Sequence, residues 1–249
     1  MLLEISKLTK TFGGLTAVNQ FEMTVEEGNI VGLIGPNGAG KTTIFNLVTG
    51  VIRPDSGTIV FDDKNITGKS PHSIAAWGIG RTFQLTPLFA DFTTLENVSA
   101  SAYLHSRSNF WRTLFNTQAY CRNEAHALEK SNQILDLVGL SEVKNELAKN
   151  LPHGYQKMLG MARALAVQPK LLMLDEPLGG MNASEITFTM EIMKKMRQEG
   201  MTILVIEHNM QILDLCDHVV AINFGQKICD GCVADVTHHP EVIKAYLGE

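Results

Sequence analysis

Apolar and polar positions change period several times along the chain, and each change marks an element. Alternation in Leu3-Glu4-Ile5-Ser6 and in Phe21-Glu22-Met23-Thr24-Val25 predicts short strands, separated by a polar loop over Thr9-Lys10-Thr11-Phe12-Gly13-Gly14. The unbroken apolar run Ile30-Val31-Gly32-Leu33-Ile34 reads as a buried strand, and Thr43 to Thr49 as a helix stopped by Gly50. Arg53-Pro54-Asp55-Ser56-Gly57 is a turn before the strand Thr58 to Phe61. Ser70 caps a short helix that Pro71 opens and Gly78 ends, and Ile79 to Gln84 is a strand running out into a loop.

From about Pro87 to Lys149 the spacing turns helical and more polar. Thr93-Thr94-Leu95-Glu96 has the form of a capping box. Ser108 to Thr117 forms an amphipathic stretch with Phe110, Trp111, Leu114 and Phe115, and a further helix covers Arg122 to Val138. From Leu151 the α/β pattern returns. It predicts helices over Gln156 to Val167 and Glu185 to Gly200, apolar strands at Leu171 to Leu174 and Met201 to Ile206, and a helix from Asn209 to Leu215. Val219 to Ile222 and Gln226 to Ile228 bracket the turn Asn223-Phe224-Gly225, and a helix from Pro240 to Leu247 closes the chain. Strands alternating with helices argue for an α/β fold with a mainly parallel sheet, into which the middle block is inserted as a helical subdomain.

Composition narrows the class. A 249-residue chain with 45% hydrophobic and 19% charged residues has ample material for a globular core. Its net charge of −5 argues against a broad nucleic-acid-binding surface. No apolar run approaches the ~20 residues that span a bilayer, and Met1 to Lys7 lacks the basic and apolar regions of a signal peptide, so a cytoplasmic protein is expected. Four cysteines are too scattered for a disulfide framework. The pair Cys229-Asp230-Gly231-Cys232 reads as a turn carrying two incidental thiols.

Two stretches carry chemistry. Gly35-Pro36-Asn37-Gly38-Ala39-Gly40-Lys41-Thr42 matches G-x-x-x-x-G-K-[ST] between a strand and a helix. Glycine-rich backbone can curl its N–H groups around phosphate oxygens, with Lys41 reaching the β/γ-phosphates and the Thr42 hydroxyl serving Mg²⁺. Thr43 continues the loop. The second stretch is Leu171-Leu172-Met173-Leu174-Asp175-Glu176-Pro177, which sets two carboxylates at the carboxyl end of a buried strand, where α/β sheets bind ligands. Asp175 is placed to hold Mg²⁺ through water, and Glu176 to polarise a water for attack on a γ-phosphate. Phe12 is a candidate stacking platform for an aromatic base.

With these motifs the chain resembles, over its full length, the nucleotide-binding subunits of ATP-binding cassette transporters. The resemblance implies a P-loop NTPase fold with a RecA-like, mainly parallel sheet, an N-terminal antiparallel β subdomain and the inserted helical subdomain. A single domain is expected, with approximately 1–86 and 158–249 as core and 87–157 as helical subdomain with signature loop. ATP and Mg²⁺ are the implied cofactors. By the same resemblance Gln84 is the glutamine that senses Mg²⁺ and the transporter interface, His208 contacts the γ-phosphate, and Phe12 stacks adenine. Two such chains, alike or different, would close head to tail, Gly154 of one facing the ATP on the phosphate loop of the other. The usual L-S-G-G-Q signature stands here as Leu151-Pro152-His153-Gly154-Tyr155, and Gly179-Gly180-Met181-Asn182 stands where S-A-L-D is common.

Within that superfamily the chain is similar to the branched-chain amino acid importer group. The residues concerned are Pro71-His72-Ser73-Ile74, Gly78 to Gln84, Ile206-Glu207-His208-Asn209-Met210 and Pro240 to Gly248. The resemblance implies a peripheral ATPase at the cytoplasmic face of the membrane, beneath two permease subunits that a solute receptor supplies. The solute would be a branched-chain amino acid or a related small polar molecule such as urea or an amide. The rival readings are a lipid or lipopolysaccharide exporter ATPase and a weakly hydrolysing regulatory subunit, the latter motivated by Pro152 and Asn182.

Overall fold

A computed structural model describes residues 1–84, 87–103, 118–208 and 210–247. The amphipathic stretch expected over Ser108 to Thr117 lies outside the described residues, as does Asn209.

The two strand periods of the sequence become two sheets. The antiparallel sheet has the order β2-β1-β4-β5, built from β1 (Leu3–Phe12), β2 (Leu15–Val25), β4 (Ser56–Phe61) and β5 (Lys64–Asn65). The second sheet has six strands: β3 (Ile30–Ile34), β6 (Ile79–Arg81), β7 (Leu171–Asp175), β8 (Thr202–Ile206), β9 (His218–Asn223) and β10 (Gln226–Gly231). Its order is β10-β9-β3-β8-β7-β6, parallel throughout except for the β9–β10 hairpin. The mainly parallel sheet and the N-terminal antiparallel unit are both as expected.

The six-stranded sheet is buried on both faces, which is why its strands read as continuous apolar runs. Alternate residues go to opposite sides. Val31, Leu33, Met173, Leu204 and Val220 pack with the antiparallel sheet and with α1 (Lys41–Val48). Ile30, Ile34, Leu172, Leu174 and Val205 belong instead to the core shared with the helices. Those helices are α3 (Thr94–Tyr103), α4 (Gln118–Leu137), α5 (His153–Ala166) and α6 (Ala183–Gln198), following the short α2 (Pro71–Ala76). Two small helices, α7 (Val233–Thr237) and α8 (Pro240–Leu247), finish the chain. Helix α5 joins the helical block to the sheet, packing on α3 and α4 as well as on β6 and β7.

Local signals behave as the residues dictate. Thr93 accepts from the Glu96 N–H at 3.1 Å while Glu96 accepts from the Thr93 N–H at 2.7 Å, a reciprocal cap. Ser70 caps α2, and Pro71 takes its first position. In four places the structure corrects the pattern. Thr9 to Phe12 is strand rather than loop: β1 continues to pair with β2, and Asp55 takes the Thr11 N–H and Lys10 Nζ, both at 2.7 Å. Asp230-Gly231 is not a turn, because a register shift after Lys227 lets β10 stay paired with β9 through Gly231. Helix α5 starts at His153 rather than Gln156, with Pro152 at the N-cap in extended geometry. The Asn209 to Leu215 stretch is a 3₁₀ segment from Met210.

Candidate functional site

The phosphate loop is shaped by what crowds it. A Cβ on Gly35 would lie 2.3 Å from the Ile222 carbonyl oxygen, and one on Gly40 would lie 2.5 Å from that of Ala17. Gly38 (φ +81°) and Gly40 (φ +105°) also take left-handed backbone, so the loop curls where other residues would resist. Gly40 is the N-cap of α1, which points its free N–H groups at the loop's centre. Lys41 is buried and donates from Nζ to the carbonyls of Gly35 at 2.6 Å and Pro36 at 3.0 Å. Burial pulls its ammonium below the ordinary lysine range, while Glu176, Asp175 and Glu207 pull the other way.

One cleft of about 470 Å³ gathers Phe12, Asn37 to Thr43, Gln84, Glu176 and Phe224. Gln84 Nε2 donates to Glu176 Oε2 at 2.8 Å. His208 Nδ1 lies 3.9 Å from Glu176 Oε1 and 3.7 Å from Glu207 Oε2. Glu176 sits at φ +48°, a left-handed conformation that costs a non-glycine residue and is held from both sides. Its N–H donates to the Ile206 carbonyl at 2.9 Å, and its carbonyl accepts from Lys157 Nζ at 2.7 Å. Phe12 is a half-exposed ring with Lys10 Nζ 5.5 Å from its centroid.

Asp175 lies beneath the cleft in an ion pair the sequence reading missed. Arg81 donates from Nη2 to Asp175 Oδ2 at 3.0 Å and from Nη1 to Asn46 Oδ1 at 2.8 Å and Thr49 Oγ1 at 2.9 Å. Both charged side chains are almost fully enclosed, at 5% and 3% exposure. Burial pushes the Asp175 carboxyl above the usual carboxylate range, with Arg81 opposing it. The only sequence signal was Arg81 at the end of a strand; its partner depends on β6 lying beside β7. Lys157, Glu207 and Phe224 were likewise missed. Phe224, 83% exposed at φ +46° in the β9–β10 turn, is an apolar residue in a position suited to asparagine or glycine.

Gly154 is not among the residues lining this cleft. It occupies the first turn of α5, and a Cβ there would fall 2.4 Å from Glu185 Oε1. Glu185 is half of a capping box on α6: its Oε2 accepts from the Asn182 N–H at 2.9 Å, and Asn182 Oδ1 accepts from the Glu185 N–H at 3.0 Å. Pro152 supplies no side-chain cap to α5, and Pro152, His153 and Tyr155 are exposed.

A phosphate-cradling loop, a strand-end Asp-Glu pair and this sheet order define an ATP-binding cassette. The family model described as ABC transporter matches residues 18–179, and the chain belongs to that family, whose members are ATPases that bind nucleotide. Its last segment, residues 226–249, matches the model of the branched-chain amino acid ATP-binding cassette transporters. The chain is 43% identical over 250 residues to the high-affinity branched-chain amino acid transport ATP-binding protein BraF of Pseudomonas aeruginosa, covering 100% of this chain and 98% of BraF. It is 38% identical to LivG of Escherichia coli strain K12, with the same coverage. A nucleotide-free ATP-binding cassette from an ABC transporter superposes with a TM-score of 0.86 at 31% identity, covering 100% of this chain and 99% of that one. The ADP conformation of MJ1267, an ATP-binding cassette of an ABC transporter, gives the same four values.

Proposed function

We propose that this chain is the ATPase subunit of an importer for branched-chain amino acids or related small polar solutes, working as a head-to-tail dimer beneath two permease subunits at the cytoplasmic face of the membrane. A solute receptor delivers the cargo. The observation that carries the chemistry is Gln84 bonded to Glu176 in the cleft that begins at the phosphate loop, with His208 Nδ1 3.9 Å from Glu176 Oε1. The curled backbone from Gly35 to Gly40, together with Lys41, Thr42 and Thr43 in the first turn of α1, holds the triphosphate, and Phe12 stacks the base. Glu176 orients and polarises the attacking water, His208 faces the γ-phosphate, and Gly154 of the second chain closes the site from across the dimer.

Thr42, Gln84 and Asp175 offer a hydroxyl, an amide oxygen and a carboxylate. These are hard oxygen donors, too few for a protein-only cage, and the described residues hold no group of three or more His, Cys, Asp or Glu that could bind a metal. That suits Mg²⁺ shared with phosphate oxygens. When bound, it would neutralise charge on the β- and γ-phosphates.

Within residues 87–157 the described helices α3 and α4 act as the helical subdomain, and an apolar groove of about 250 Å³ beside it, lined by Val51, Ile74, Phe83, Pro87 and Ala164, suits a permease helix. No helix among the described residues is long and apolar enough to cross a membrane, consistent with a peripheral subunit. The family relationship favours an importer over the lipid-exporter reading. Glu176→Gln tests the assignment: phosphate release should fall by about 10²–10⁴-fold, the scale of a lost general base, with ATP binding kept. Unchanged turnover in that variant, or no turnover in the parent reconstituted with its permeases, would overturn it.

A further inference from the structure

Gly35 is the residue at which β3 becomes the phosphate loop, and two side chains, one nearby and one distant in sequence, hold its backbone polar atoms. Its carbonyl accepts Lys41 Nζ at 2.6 Å. Its N–H donates at 2.9 Å to the hydroxyl of Tyr246, which lies 211 residues further along the chain on α8. The peptide has little freedom on its other side, where the Ile222 carbonyl leaves no room even for a Cβ. Helix α8 is docked by buried Val242 against the core that contains Val236 and Val219. The Tyr246 ring remains partly exposed, so its hydroxyl rather than its area is what reaches the loop. Burial raises the phenol's pKa, so it is a neutral hydroxyl at physiological pH. The helix belongs to the 226–249 segment that matches the branched-chain group model.

We infer that Tyr246 is a positioning residue for nucleotide binding: its hydroxyl fixes the first peptide of the phosphate loop and so couples docking of the C-terminal helix to occupancy of that loop. Lys41 must exchange the Gly35 carbonyl for phosphate oxygens when a triphosphate arrives. That exchange keeps its geometry only if residue Gly35 stays put, and the Tyr246 bond to its N–H anchors the residue on the side away from the carbonyl that Lys41 releases. Coupling is reciprocal, so nucleotide on the loop must tighten the helix by the same factor that the docked helix tightens nucleotide.

The inference rests on the ATP reading of the loop, and the test separates the two. In the full-length chain, ADP should slow amide hydrogen exchange across residues 240–247, the helix that carries Tyr246. In Tyr246→Phe, which removes one oxygen, this response should vanish. ATP and ADP affinity should weaken by about five- to tenfold, the scale of one lost bond to a partly buried amide, with KM rising and kcat within about twofold. A purely structural tyrosine would lower the thermal midpoint and leave both the KM and the ADP response of the helix in place. Equal nucleotide affinity in parent and variant, or helix exchange in the parent that ignores ADP, would overturn the inference while leaving the ATPase reading intact. Failure of the parent to bind ADP or ATP at all would overturn both.

Discussion

The phosphate-loop cleft and the signature segment are held in opposite ways. On the first, every charged group is bonded inside its own chain: Lys41 to two carbonyls, Asp175 to Arg81, and Glu176 to Gln84. Four separate strand ends and the loop lock one another, and the backbone at Gly35 and Gly40 has no space to relax. On the signature side Pro152, His153 and Tyr155 are exposed at a helix start with no side-chain cap. Gly154 is tied in by close approach to Glu185, and Leu151 is buried in the core. Buried charge must be matched by partners within the chain, whereas exposed side chains at a helix start carry no such demand.

The sharpest way to break the first half is Arg81→Met. It leaves Asp175 enclosed without its partner, which should cost about 3–5 kcal/mol in chemical denaturation. The pH dependence gives a second reading. Asp175 titrates above its unfolded value of 3.8, so its contribution to stability is present below that value and lost as pH rises through the raised one. Removing Arg81 raises the folded value further. The deficit of the variant should therefore be largest above it and narrow as pH is lowered toward 3.8. A deficit that is flat with pH would mean that Asp175 is not the group left stranded.

Phe12→Ala probes the rim of the same half with a smaller effect. Loss of a base-stacking platform should weaken ATP by about 1–3 kcal/mol, while inorganic triphosphate binds as before. Phe224 lines the same cleft on the opposing hairpin. If Phe224→Ala weakens ATP and Phe12→Ala does not, the base lies on the other rim and the assignment of Phe12 fails.

The contiguous features of this site were legible in the sequence because they are local. A glycine curl before a helix and two carboxylates after an apolar strand need no knowledge of neighbours. The ion pair of Arg81 with Asp175 and the bond of Gly35 to Tyr246 were not legible, since they join residues 94 and 211 positions apart and depend on strand order and helix docking. Thr9 to Phe12 failed for a different reason. As part of a strand with few buried positions it shows no alternation, and its pairing is fixed by Asp55 across a turn rather than by apolar period. The fold class followed from strands alternating with helices, and the apolar runs that became β3, β7 and β8 are buried along their whole length in the structure.

Asn182→Asp bears on the signature half and should have the smallest effect. Asparagine replaces the aspartate common at this position, which together with Pro152 motivated the rival reading of a weakly hydrolysing subunit. In the structure Asn182 caps α6 through its Oδ1, and Ser184 Oγ donates to the same oxygen at 2.6 Å. Asparagine and aspartate are near-equal N-caps, so the change should alter stability by less than about 0.5 kcal/mol. The new charge would gain from the helix dipole but would face the Glu185 carboxylate, which already takes the residue's own N–H. Turnover of the reconstituted complex should accordingly stay within about twofold, since the cap that holds Glu185 against Gly154 is preserved. A tenfold rise in phosphate release on restoring aspartate would show that Asn182 limits catalysis, and would favour the weakly hydrolysing reading over an importer ATPase of full activity.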